Sequence, residues 1–223
     1  MWHLAHEVLR PRPVLPDASA VFSARRLGEL AVLVILAGGT YGIVMGTFAG
    51  FTGERFWQLV YSGLKVPMLL GVTFVIALPS FFVLNTLLGV RSDFGRVLAG
   101  LIETQAATAL LLVSFAPLTA VGYLSINHYP LAIVLNVFLF AVASVLGQVV
   151  LWRSYRPLIA RRGVHRQLAW TWLGLYGFVG IQMAWTLRPF IGAPGRPTRF
   201  FREGAWGNAY LELANIVRSA FGV

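Results

Sequence analysis

Followed for its apolar and polar positions, the chain resolves into five long apolar runs parted by short charged or proline-rich turns. The runs cover about Leu30–Phe51, Val66–Val90, Val97–Val121, Leu131–Trp152 and Leu168–Leu187. Each reaches or nearly reaches the ~20 apolar residues that a helix needs to cross a ~30 Å hydrocarbon core. The pattern predicts an all-α integral membrane protein, a bundle of about five transmembrane helices with amphipathic interfacial helices at both ends. The expected organisation is an N-terminal interfacial arm over residues 1–26, a transmembrane domain over 27–192 and a C-terminal tail over 193–223.

Between the runs, local signals refine this picture. Trp2 to Leu9 is a short amphipathic piece, and the prolines at Pro11, Pro13 and Pro16 predict an extended stretch on the membrane surface. Asp17 suits the N-cap of a helix through Ala18 to Arg26. Phe56, Val60 and Leu64 share a face beside Glu54, Arg55 and Lys65, which predicts a segment lying along the interface before the second span. Pro79 and Pro117 predict bends in the second and third spans. From about Ala205 the tail places Trp206, Tyr210, Leu213, Val217 and Phe221 on one helical face and Asn208, Glu212, Asn215 and Ser219 on the other.

Two stripes of small residues stand out within the runs. Gly38, Gly42, Gly46 and Gly50 recur every fourth residue, so one face of the first span carries no side chains and another backbone can approach it closely. Gly177, Gly180 and Ala184 form a second such face on the fifth span and are the expected partner. The same motif serves homodimer seams.

The polar interior is small. Glu103 is the one carboxylate that can lie well inside the hydrocarbon, with Gln105 close by, and it is expected to make a structural hydrogen bond or to pair with Arg91, Arg96 or Arg153. Asn136, Ser144 and Gln148 recur at multiples of four along the fourth span and form a polar stripe expected to face the bundle interior.

Composition narrows the function classes. With 57% hydrophobic and 12% charged residues the chain is too apolar for a water-soluble domain. The net charge of +10 sits beside and between the spans, where anionic lipid headgroups attract it, so membrane lipids rather than nucleic acid are the expected partner. An absence of cysteine removes disulfides, thiolate metal sites and cysteine nucleophiles. His3, His6 and Glu7 fall short of a metal site, which needs a third and fourth ligand, and His128 and His165 stand alone in loops. Neither Gly-x-Ser-x-Gly nor a Walker sequence occurs, so no catalytic residue, metal or cofactor is expected. Of the 18 basic residues, an N-terminus in the cytoplasm places eleven inside and seven outside, which the positive-inside rule favours. Arginine-rich usage with Lys65 as the lone lysine points to a GC-rich bacterial genome, and hence to a bacterial inner membrane.

The span ending in Leu87-Leu88-Gly89, the charged turn, Phe94 and the span closing in Ala116-Pro117-Leu118 resemble the Yip-domain family of small five-span membrane proteins over residues 66–121. The tail at 188–210 looks instead like bacterial membrane proteins outside that family. The Yip resemblance implies a cytoplasmic N-terminus and a role in organising membranes or adapting other proteins, with no catalytic residues to carry over. The expected function is a non-enzymatic accessory subunit or organiser that meets other membrane-protein subunits. The alternative is a small transporter or channel that uses Glu103 and the Asn136, Ser144 and Gln148 stripe as a polar path.

Overall fold

A computed structural model describes residues 2–9 and 23–201, together with Asn215 and Arg218. Residues 2–9 and 23–201 hold six helices: α1 (Trp2–Leu9), α2 (Ala24–Gly46), α3 (Phe56–Leu87), α4 (Phe94–Ser125), α5 (Tyr129–Arg161) and α6 (Val164–Thr186). Single 3₁₀ turns at Thr47–Ala49, Gly53–Arg55 and Arg91–Asp93 join them, and no strand occurs among the described residues. The chain is an all-α membrane bundle. Four of its helices, α2 to α5, are long and apolar enough to cross a membrane. At 23 residues α6 equals α2 in length, but Gln167, Gln182 and its tryptophans lower its hydropathy. Of the predicted amphipathic helix from Ala205 only Asn215 and Arg218 are described, both helical and exposed; the rest of it falls outside the described residues, as do 10–22.

Successive helices alternate in direction. In contact order they close a ring: α2 packs on α3 and α4, α5 on α4 and α6, and α6 returns to α3. The side where α2 begins is called the N-terminal side below, and the opposite one the far side.

Helix ends follow from local chemistry. The Ser23 hydroxyl accepts from the Arg26 amide at 3.3 Å and starts α2 at Ala24, so Ser23, whose backbone is non-helical, is not part of the helix expected through Ala18 to Arg26; residues 18–22 of that helix lie outside the described residues. At the end of α3, Gly89 takes φ +69, and the Val90 and Gly89 amides donate to the Asn85 and Thr86 carbonyls at 3.0 and 3.1 Å. This closes two otherwise unpaired carbonyls, and only glycine takes that φ without strain. The segment expected to lie on the interface is instead the first part of α3, which continues without interruption through Pro67 and Pro79, as α4 does through Pro117. The reason lies in the buried face Gln58, Ser62 and Lys65, which the bundle supplies with partners.

Buried apolar side chains fill the ring in three clusters. Phe81, Leu101, Leu151 and Trp172 join α3, α4, α5 and α6, whereas Tyr41, Leu70, Leu112 and Ala143 join α2 to α5. In the third, Val8 of α1 is buried with Leu30, Leu33, Ala106 and Ala107, so α1 docks on the bundle and is more than a surface anchor. Exposed apolar residues such as Ile35, Val75, Val83, Leu124, Phe138, Val145 and Phe178 cover the outside, as lipid requires.

Candidate functional site

The glycine row of α2 has a partner other than the one its spacing suggested. A Cβ built on Gly42 would lie 2.2 Å from the Ser62 carbonyl oxygen, and one on Gly46 would lie 2.9 Å from Leu59 Cα. On Gly38 it would meet only the Pro67 and Val66 side chains at 3.5 Å. The close approach is therefore between α2 and α3, not between α2 and α6. Two successive antiparallel helices meet backbone to backbone at Gly42 and Ser62-Gly63. Gly50 lies beyond α2 at φ +98, where an added Cβ would meet nothing within 4 Å, so it serves the turn. Gly180 of α6 faces Thr73 of α3 at 3.6 Å, Gly177 has open space, and Ala184 is half-buried.

Polar side chains inside the ring form separate groups. On the N-terminal side Glu103 is buried, and the Arg26 guanidinium lies 3.7 Å from its Oε1. Arg26 also donates to Glu7 Oε2 of α1 at 2.9 Å. One guanidinium thus stands between a deep carboxylate and a shallow one, and the partner of Glu103 is Arg26 rather than Arg91, Arg96 or Arg153. Nearby the Tyr176 hydroxyl donates to Gln105 Oε1 at 2.7 Å, tying α6 to α4. His165 is in the first turn of α6, fully buried, with Nε2 3.2 Å from Asp93 Oδ2; it is a structural contact of the bundle and not an isolated loop residue.

On the far side Asn136 joins three helices. Its Nδ2 donates to the Tyr123 hydroxyl at 2.6 Å, its Oδ1 accepts from the Tyr41 hydroxyl at 3.3 Å, and Tyr123 in turn donates to the Met45 carbonyl at 3.3 Å. Gln148 is buried and Ser144 half-buried. Twelve residues along α5 separate Asn136 from Gln148, or about 18 Å. The stripe faces inward at both its ends but does not gather at one point with Glu103.

A third group was not legible in the sequence. Gln58, Ser62 and Lys65, at i, i+4 and i+7 on α3, are all buried and all address the segment after α6. Lys65 Nζ donates to the Pro189 carbonyl at 2.7 Å, Gln58 Nε2 to the Phe190 carbonyl at 3.3 Å, and the Ser62 hydroxyl to the same Phe190 carbonyl. The Phe200 ring lies 4.8 Å from Lys65 Nζ. This holds the residues after α6 against α3, where Gly192 sits beside Ala49 and Gln58. The one available signal was the polar spacing itself, hidden by the neighbouring charges Glu54 and Arg55.

The chain matches no family model, no curated protein and no solved structure. Among the described residues there is also no group of three or more His, Cys, Asp or Glu side chains placed to hold a metal ion. The polar chemistry inside the bundle is that of a guanidinium between carboxylates, an amide between phenols, and a lysine amine on a backbone carbonyl. All three arrangements join one helix or segment to another.

Proposed function

We propose that the protein is a non-enzymatic component of a bacterial inner membrane, with its N-terminus in the cytoplasm, that serves as an accessory subunit or organiser of a membrane complex. It acts through helix packing and lipid contacts, in the manner that the Yip-domain resemblance of residues 66–121 implies. The observation that carries this reading is the use made of Glu103. The deepest carboxylate among the described residues, where proton or ion chemistry would first be sought, is engaged by Arg26, which at the same time holds α1 through Glu7. Asn136 and Lys65 likewise support contacts between elements.

The test is reconstitution. Purified protein in liposomes is expected to move neither protons nor small solutes, and protein isolated in mild detergent is expected to carry a second membrane protein in fixed stoichiometry. A flux that Glu103→Gln abolishes while the fold survives would replace the organiser with a transporter.

A further inference from the structure

We infer that α5 and α6, where they emerge on the N-terminal side, form a site for the phosphodiester headgroup of an anionic membrane lipid, with Arg156 and Arg166 placed one turn outside the Trp152–Trp170 ring pair. The inference deepens the reading of the protein as a membrane component and rests on it.

The two rings meet edge to face, with centroids 5.2 Å apart, and bridge α5 to α6. Arg156 follows Trp152 by one turn on α5, and Arg166 precedes Trp170 by one turn on α6. Because the helices are antiparallel, both arginines are displaced about 6 Å from the ring pair in the same direction, outward. A single headgroup can therefore meet both.

The depth is marked independently on each helix. Exposed apolar side chains on α5 run through Phe138, Val145, Leu146 and Val149; Trp152 comes next, then the exposed Arg153 and Arg156. On α6 the order read outward is the same: exposed Ile181 and Phe178, then Trp170 at 60% exposure, then the exposed Arg166. Indole rings favour the level of the lipid headgroups, and a guanidinium forks onto a phosphate with two parallel hydrogen bonds. A helix of 33 residues, about 50 Å long, necessarily carries its last turns out of a ~30 Å core.

Among the described residues this charge is unanswered. Neither α5 nor α6 contains an Asp or Glu, and among the described residues Arg153, Arg156, Arg161 and Arg166 form no ion pair. Asp93, on the adjoining turn, lies 3.2 Å from His165 and 3.8 Å from Arg96. An anion from outside the chain has the exposed guanidinium groups of Arg156 and Arg166 and an aromatic floor to bind.

Native mass spectrometry of protein released from nanodiscs with equal amounts of phosphatidylglycerol and phosphatidylcholine tests this. Wild-type protein should retain phosphatidylglycerol in preference. At about 1 kcal/mol for each basic residue near the surface, the double variant R156Q/R166Q should bind it roughly 10–30-fold more weakly. The single variant Arg166→Gln, read the same way if the double variant does not fold, should lose about fivefold. Arg196→Gln, exposed on the far side, should change nothing. Equal retention of the two lipids by wild type, or undiminished phosphatidylglycerol retention in the variants, would overturn the site. Displacement of the lipid by inorganic phosphate alone would overturn its assignment to a lipid. None of these readouts involves a protein partner or a flux, so the site and the organiser reading can fail separately.

Discussion

Adding one methyl group at Gly42 should be among the most damaging small changes available in α2. In Gly42→Ala the new Cβ would stand 2.2 Å from the Ser62 carbonyl oxygen, 2.8 Å from its carbon and 3.0 Å from Gly63 Cα. All three are backbone atoms, so no rotamer change relieves them, and an ordinary contact near 3.4 Å returns only if α2 and α3 part by about 1 Å. Overpacking of a filled interior costs typically about 1–3 kcal/mol, and rigid backbone neighbours place this site at the upper end. Alanine regains at most ~1 kcal/mol over glycine in helix propensity, which leaves a net loss of about 2 kcal/mol. The same substitution at Gly177, where a Cβ meets nothing within 4 Å, should be neutral or slightly stabilising. Gly38→Ala, whose Cβ would meet side chains at an ordinary contact distance of 3.5 Å, should be tolerated, and Gly46→Ala should fall between it and Gly42→Ala. Unfolding each purified variant in mixed micelles by titration with a denaturing detergent reads the series directly. If Gly42→Ala equals wild type, or Gly177→Ala is the more damaging, the α2–α3 approach is not what holds these helices together.

Further substitutions probe the polar groups and the topology. Arg26→Gln should destabilise the bundle by about 3 kcal/mol or more, because it leaves Glu103 buried without that countercharge, whereas Glu103→Gln leaves Arg26 with Glu7 and should cost less; the same unfolding titration ranks them. Lys65→Met keeps the volume while removing the donor to Pro189, so hydrogen exchange over residues 188–193 should rise with little change in global stability. Unchanged protection there would place the anchor elsewhere. The chain contains no cysteine, so single-cysteine variants report cleanly: Gly163→Cys, exposed between α5 and α6, should resist an impermeant maleimide in intact cells, and Thr52→Cys, exposed on the far side, should react. The reverse pattern would invert the orientation.

The parts of the fold that depend on local physics were legible in the chain. Length and hydropathy located the long helices, because a membrane solvent leaves few other ways to satisfy a backbone. The bare face of α2 was legible for the same kind of reason, as a four-residue glycine spacing follows from helix geometry alone. Its partner was not, because Ser62 and Gly63 stand in a stretch whose flanking charges resemble a surface segment. Placing Gln58, Ser62 and Lys65 inside required knowing that the Pro189 and Phe190 carbonyls return to them from more than a hundred residues away. The Arg26 to Glu103 pair has the same origin. Both residues were visible, but no spacing rule links a helix start to the third turn of another helix.

The closed ring also sets a timetable. Translation and insertion proceed from the N-terminus, so α2 to α5 reach the membrane before α6 does. At that stage the molecule is an open crescent, with the Phe81 face of α3 and the Leu151 and Tyr155 face of α5 turned toward lipid or translocon. The helix that must then seal the gap is the one whose own hydropathy falls below that of the other four. Its entry therefore leans on what is already assembled: Trp172 against Phe81 at 4.9 Å between centroids, His165 against Asp93, Tyr176 against Gln105. A crescent that has packed wrongly offers α6 none of these contacts.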